Sequence, residues 1–201
     1  MATVSESLAR LRLIGKSTRL SIVVLLLVGG IAAAALFWWL QLQVTSGTSP
    51  PRPGSAAPQV NLPLLDGGTA DLAQERGKVV VLNFWATWCV PCRAEMPALQ
   101  HVADDLQSER FTLFEVDLQE DAATIDPFRR QLGLRMPILL DGDGEVTQRY
   151  GVRALPSTFL IDKQGVVHQQ HLGPLIEGEG EGTLWSTAWL EQQIRVLLEP
   201  S

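Results

Sequence analysis

Cysteine and histidine are nearly absent: the 201 residues hold two cysteines, Cys89 and Cys92, and three histidines, His101, His168 and His171. So short a supply disfavours a structural zinc site, which takes about four ligands. His168 and His171 stand three apart on a stretch that reads as strand, so they face opposite sides, chelate poorly and read as surface residues. No cysteine lies near the N-terminus, which excludes a lipid-anchored N-terminal Cys. Basic charge is also scarce. From Gln43 onward 12 Lys and Arg stand against 21 Asp and Glu, the opposite of the basic stripe that nucleic-acid binding needs. That acidity reads as a solubility feature. There is no internal repeat, and the length fits one globular unit with appendages.

What is present begins with a long apolar run. Leu20 to Leu40 (LSIVVLLLVGGIAAAALFWWL) carries no charge, and as a helix it would span about 30 Å, the hydrocarbon thickness of a bilayer. Arg10, Arg12, Lys16 and Arg19 precede it against the single acid Glu6, which predicts a cytoplasmic N-terminus and an exported remainder. Trp38 and Trp39 fall where an aromatic belt would meet the outer interface. A cleaved signal peptide is the competing reading, with Ala32 to Ala35 as the cleavage region, but the run exceeds the usual signal core and cleavage there would strand Phe37, Trp38 and Trp39 in water. The expected organisation is a cytoplasmic N-terminus (1–19), a transmembrane anchor (20–42), a Pro/Ser/Gly spacer (43–58) and a folded domain (59–201).

Within the domain, Val60 to Leu65 and Thr69 to Leu72 flank Asp66-Gly67-Gly68 and predict a hairpin. Lys78 to Trp85 (KVVVLNFW) reads as a central strand buried on both faces. Met96, Leu99, Val102, Ala103 and Leu106 recur at helical spacing across Pro91 to Gln107. Further strands are expected at Phe111 to Val116 and Met136 to Leu140, and helices at Asp121 to Leu132 and Asp143 to Tyr150. A second hairpin joins Ser157 to Asp162 and Val166 to His171, and an amphipathic helix at Thr183 to Leu198 closes the chain. Alternation of this kind implies an α/β fold with a mixed sheet covered on both faces. Glu177 to Gly182 (EGEGEG) reads as an acidic loop.

The cysteines stand in Trp88-Cys89-Val90-Pro91-Cys92, between the buried strand and the helix. A disulfide closing so small a loop restrains the unfolded chain little, so it is a poor staple. A redox pair explains the spacing. The helix N-terminus stabilises a thiolate at Cys89, which attacks a partner disulfide, while Cys92, one turn deeper, resolves the mixed disulfide. Pro91 suits the first turn, where no backbone donor is lost. Trp88 and Val90 would form an apolar docking rim.

The run Phe84-Trp85-Ala86-Thr87-Trp88-Cys89-Val90-Pro91-Cys92-Arg93-Ala94-Glu95-Met96-Pro97 resembles the active-site stretch of the membrane-anchored thioredoxin-like thiol–disulfide oxidoreductases of the TlpA/ResA type, which include cytochrome-c-biogenesis thioredoxins; the similarity extends from about Gln59 to Leu198. The resemblance implies a thioredoxin-like fold with an N-terminal hairpin and a helix-bearing insert at Gln119 to Gly133. It places the kinking proline of the active-site helix at Pro97 and a cis-proline loop at Leu155-Pro156, with Leu155, Trp88, Val90 and Pro91 contacting substrate and Pro156 shaping the groove. Asn83 departs from thioredoxin, which buries an aspartate there. Glu95 stands where ResA-like proteins keep an acid near the pair, as a tuner of cysteine pKa and a proton relay. Its negative charge would oppose thiolate formation, which predicts a reductant.

The resemblance further implies substrates that are oxidised cysteine pairs of exported proteins, either apocytochrome c or copper-site proteins of cytochrome oxidase assembly. It implies a membrane thiol-electron transporter as reductant, and location at the cytoplasmic membrane with the domain on the periplasmic side. No cofactor or metal is expected beyond the Cys89–Cys92 disulfide. The rival reading is a copper-handling module using the same two thiolates for a soft ion. A peroxidase of the peroxiredoxin group would need a lone Cys after a Pro- and Thr-bearing loop, an arrangement missing here.

Overall fold

The computed structural model describes residues 21, 24–39, 50–107, 110–175 and 186–199. The chain forms two compact units, Met1–Gly47 and Thr48–Ser201. In the first, residues 24–39 are helical (α1) and expose their apolar side chains, among them Leu25, Leu26, Ile31, Phe37 and Trp38. Among the described residues no helix is long and apolar enough to cross a membrane. The stretch read as an anchor runs past the described residues at both ends, and the expectations for 1–19 and for Glu177 to Gly182 lie outside them.

The second unit is built on a five-stranded sheet in the order β5-β4-β3-β6-β7. Its strands are β3 (Val79–Trp85), β4 (Phe111–Leu118), β5 (Ile138–Asp141), β6 (Ser157–Ile161) and β7 (Val167–Leu172). β3, β4 and β5 run parallel, and β6 and β7 join antiparallel. Ahead of them β1 (Asn61–Pro63) and β2 (Thr69–Asp71) form the expected hairpin. The helices are α2 (Val90–Asp105), α3 (Ala122–Leu132), α4 (Glu145–Arg149) and α5 (Thr187–Leu198). The predicted elements are present. β4 extends two residues further than its apolar run indicates, and α5 starts at Thr187, capped by the Ser186 side chain.

All seven residues of β3 are buried, because each face of the sheet carries its own core. Val79, Val81 and Trp85 point to one side, where Met96 and Leu99 of α2, Phe128 of α3 and Ile194 of α5 pack. Val80, Leu82 and Phe84 point to the other, against Val146 and Tyr150 from the α4 region. Each large apolar side chain so buried stabilises the fold by about 1.5–3 kcal/mol.

The stretch read as a spacer is in part folded. Gly54 N–H donates to Val167 O at 2.8 Å, Val167 N–H to Ser55 O at 2.8 Å and Ala57 N–H to Gly165 O at 2.9 Å. The physical reason is the free flank of the sheet: the start of β7 offers unpaired backbone groups, and an extended, weakly patterned segment satisfies them.

Candidate active site

β3 ends at Trp85 and the chain turns at once into α2. Cys89 N–H closes the turn on Ala86 O at 3.1 Å, and Cys89 is the N-cap of α2, its Sγ accepting the Cys92 N–H at 3.3 Å. Pro91 occupies the first turn and Pro97 lies inside the helix, as expected. Cys89 and Cys92 are joined in a disulfide with their Cα atoms 5.3 Å apart. Cys89 keeps 5% of its surface exposed and Cys92 none, so only the N-cap sulfur is reachable from outside.

Beside it runs an apolar groove of about 540 Å³, lined by Trp88, Cys89, Val90 and Pro91 on one side and by Leu118, Arg153 and Leu155 among others on the opposite side. Trp88 and Val90 are exposed, at 65% and 73%. The Leu155–Pro156 bond is cis, and Pro156 is buried behind the wall that Leu155 forms. The structure thus brings all four sequence-derived contact residues to one groove. Arg93 points elsewhere, its guanidinium 5.5 Å from the Phe128 ring centre.

Glu95, one turn beyond Cys92, is buried rather than solvated. Asn83 Nδ2 donates to its Oε1 at 2.9 Å, and Leu175 N–H to its Oε2 at 2.7 Å. Burial pushes its pKa up to about 7, against the pull of those two hydrogen bonds toward the charged form. The group therefore gains and loses a proton near neutrality, as an acid–base participant must.

Three further buried acids escaped the sequence reading or its role assignments. Glu115 and Asp117, on β4, are fully buried on the face that α2 covers, opposite Asn83 and Trp85 of β3. Burial pushes Glu115 well above the usual carboxylate range, with Glu95 adding repulsion. Asp117 rises to about 8, from burial first and then from its hydrogen bond with Glu120. Asp141 is also buried, but its carboxylate accepts from Val146 N–H, Thr147 N–H and Thr147 Oγ1–H. Glu120 accepts from Thr87 N–H and from Thr87 Oγ1–H, both at 2.5 Å. The acid pair thereby grips the loop two residues before Cys89. Among the described residues no group of three or more His, Cys, Asp or Glu is placed to hold a metal ion.

A disulfide across the cap and first turn of a helix, following the central strand of this mixed sheet and facing a cis-proline wall, defines a thioredoxin-fold protein for dithiol–disulfide exchange. The chain belongs to the AhpC/TSA family, whose profile matches residues 53–170. It is similar to thiol-disulfide oxidoreductase ResA of Geobacillus thermodenitrificans (strain NG80-2), 41% identical over 57% of this chain and 66% of that one. It is likewise similar to ResA of Geobacillus kaustophilus (strain HTA426), 38% identical over 66% of this chain and 76% of that one. Among solved structures, a thiol:disulfide interchange protein of the thioredoxin family from Chlorobium tepidum TLS superposes with a TM-score of 0.62 at 25% identity, covering 75% of this chain and all of its own. Site, family and relatives agree on a thiol–disulfide oxidoreductase.

Proposed function

We propose that the chain is a membrane-tethered reductant of cysteine pairs in exported proteins. The observation that carries the reading is the difference in depth between the two sulfurs at one helix N-terminus, one open to the groove and the other sealed beside a buried acid. In the reduced form the Cys89 thiolate, favoured by the helix terminus and the Cys92 N–H, attacks a partner disulfide: a mixed disulfide forms and one partner thiolate leaves. Cys92 then gives its proton to Glu95 and attacks Cys89 Sγ. The second partner thiolate leaves and takes up a proton, two electrons having passed to the partner, and the Cys89–Cys92 disulfide remains. No cofactor besides that disulfide enters the exchange.

Direction follows from charge. Glu95 as a carboxylate opposes ionisation of Cys92, so the reduced pair lacks the overstabilised thiolate that makes an oxidant. The groove, apolar apart from Arg153, suits an extended peptide carrying the cysteine pair. Apocytochrome c and copper-site proteins of oxidase assembly are the substrates we propose, with electrons supplied by a membrane thiol transporter. Tethering at the cytoplasmic membrane, with the domain on the periplasmic side, rests on the uncharged run from Leu20 to Leu40 and the four cations before it. Equilibration with dithiothreitol or glutathione buffers tests the direction: the expected potential lies near about −270 mV, and one above about −150 mV overturns the reading.

A further inference from the structure

Among the described residues, Asn83 Oδ1 and both carboxylate oxygens of Glu115 are buried without a hydrogen-bond partner. The two residues are register partners on adjacent parallel strands, so their side chains leave the same face of the sheet, the one where α2 lays Glu95 over Asn83. Among the described residues an ionised Glu115 would find no cation on that face: His171 of β7, beyond Thr158 in the same row, is held toward its neutral form by burial, and Asp117, two residues along β4, is a further acid. The register partner of Glu115 on β5 is Ile138, its partner on β3 is the neutral Asn83, and Thr158 of β6 adds only a hydroxyl. Glu95 of α2 would repel it, and Glu191 and Arg195 of α5 pair with each other. A protonated Glu115 is different, because its carboxyl becomes an O–H donor. The neighbouring residue holds the acceptor that needs one.

We propose that Glu115 is a positioning residue of the exchange reaction: its neutral carboxyl donates to Asn83 Oδ1 and so locks the Asn83 amide with Nδ2 toward Glu95. The inference deepens the proposed function and rests on Glu95 being the proton acceptor for Cys92. With the amide in this orientation Nδ2 serves Glu95 Oε1 at 2.9 Å and Thr158 Oγ1 at 3.2 Å. A reversed amide would set Oδ1 against the Glu95 carboxylate, so the lock keeps the charged form of Glu95 attainable near neutrality. Glu115 is given no part in the exchange of sulfurs itself. It acts through Asn83 and Glu95 alone.

The test is a carbon NMR titration of the side-chain carboxyls in the full chain, compared with E115L and E115Q. Leucine removes the donor, frees the amide and takes from ionised Glu95 a hydrogen bond to its charge, so the Glu95 midpoint is expected to rise by about one pH unit. Glutamine offers an N–H to the same acceptor and is expected to keep the wild-type midpoint. Both variants keep the site neutral, as the proposal has it for the wild type, so neither places a new charge in the core. A Glu95 midpoint unmoved in E115L, or moved as far in E115Q as in E115L, overturns the inference. An infrared band of a protonated carboxyl that persists above about pH 8 in the wild type and is absent from E115Q supports it even if E115L does not fold; a wild-type spectrum without that band overturns it. The pH profile of exchange with a small disulfide separates the two claims. A rate inflection absent at the Glu95 midpoint defeats the role of Glu95 in the exchange, whereas the NMR comparison still decides what Glu115 does to that midpoint.

Discussion

Cys92 has no exposed surface and Cys89 has a little, the asymmetry on which the proposed roles of attacking and resolving thiol rest. Replacing Cys92 with Ser is expected to leave attack intact and remove resolution. Mixed disulfides then accumulate on Cys89 and turnover falls by about 10³-fold or more. Gel analysis under non-reducing conditions checks this, and the trapped partner identifies the substrate; rapid turnover in the variant would show that Cys92 does not resolve. The cysteines and their rim are legible in the sequence because two-residue spacing at a strand-to-helix junction has few other uses, whereas Pro156 is legible only through the resemblance to the TlpA/ResA type. Glu115 and Asp117 are not. In Phe111-Thr112-Leu113-Phe114-Glu115-Val116-Asp117 the charges alternate with apolar residues, the usual mark of a strand with one wet face. Here both faces are covered, and the charges lie in the half-core that α2 closes.

The elements around the site matter by what they hold still. The turn after β4 presents Glu120 to Thr87, and Asp117 Oδ1 accepts from Glu120 N–H at 3.0 Å, so β4 fixes the loop that delivers Cys89. Glu120→Ala leaves two donors of Thr87 without their acceptor. It is expected to lower stability by about 1–2 kcal/mol, measured by urea unfolding, and to slow exchange with a peptide disulfide while leaving the equilibrium potential in place. A shifted potential with an unchanged rate would contradict the clamp. α2 was readable from periodicity, whereas helix ends are set by caps the pattern does not show: Asp121 caps α3 through Thr124 N–H, and Gly133 ends it at φ 66°, a left-handed position that suits glycine. The pairing of residues 54 and 55 with the start of β7 was not readable, since hydrogen bonds made by the backbone leave no trace in side-chain pattern.

Across the whole molecule, the buried acids set how stability responds to pH. Glu95 and Asp117 have folded pKa values raised to about 7 and about 8, and Glu115 is raised further than its ordinary range. Between the unfolded values near 4 and these folded values, the native state holds protons that the unfolded chain has released, so stability falls as pH rises through that window. Glu95 alone accounts for about 3 kcal/mol of the decline. Urea midpoints are accordingly expected to be higher at pH 5 than at pH 8, and E95Q to flatten part of the slope. A wild-type midpoint that rises with pH over that interval would contradict the protonated state of these carboxyls.

The segment that pairs with the start of β7 through Gly54 and Ser55 continues past Val60 and Leu62, which lie in the core opposite α2, to reach the other flank. There Leu65 N–H donates to Ile138 O at 2.9 Å and Leu64 bridges Leu139. One short strap therefore binds the first and last strands of the sheet across its underside. Neither outer strand frays alone, because loosening one end slackens the hold on the other. A stray extended chain meeting either border finds part of the backbone row it would have joined already taken.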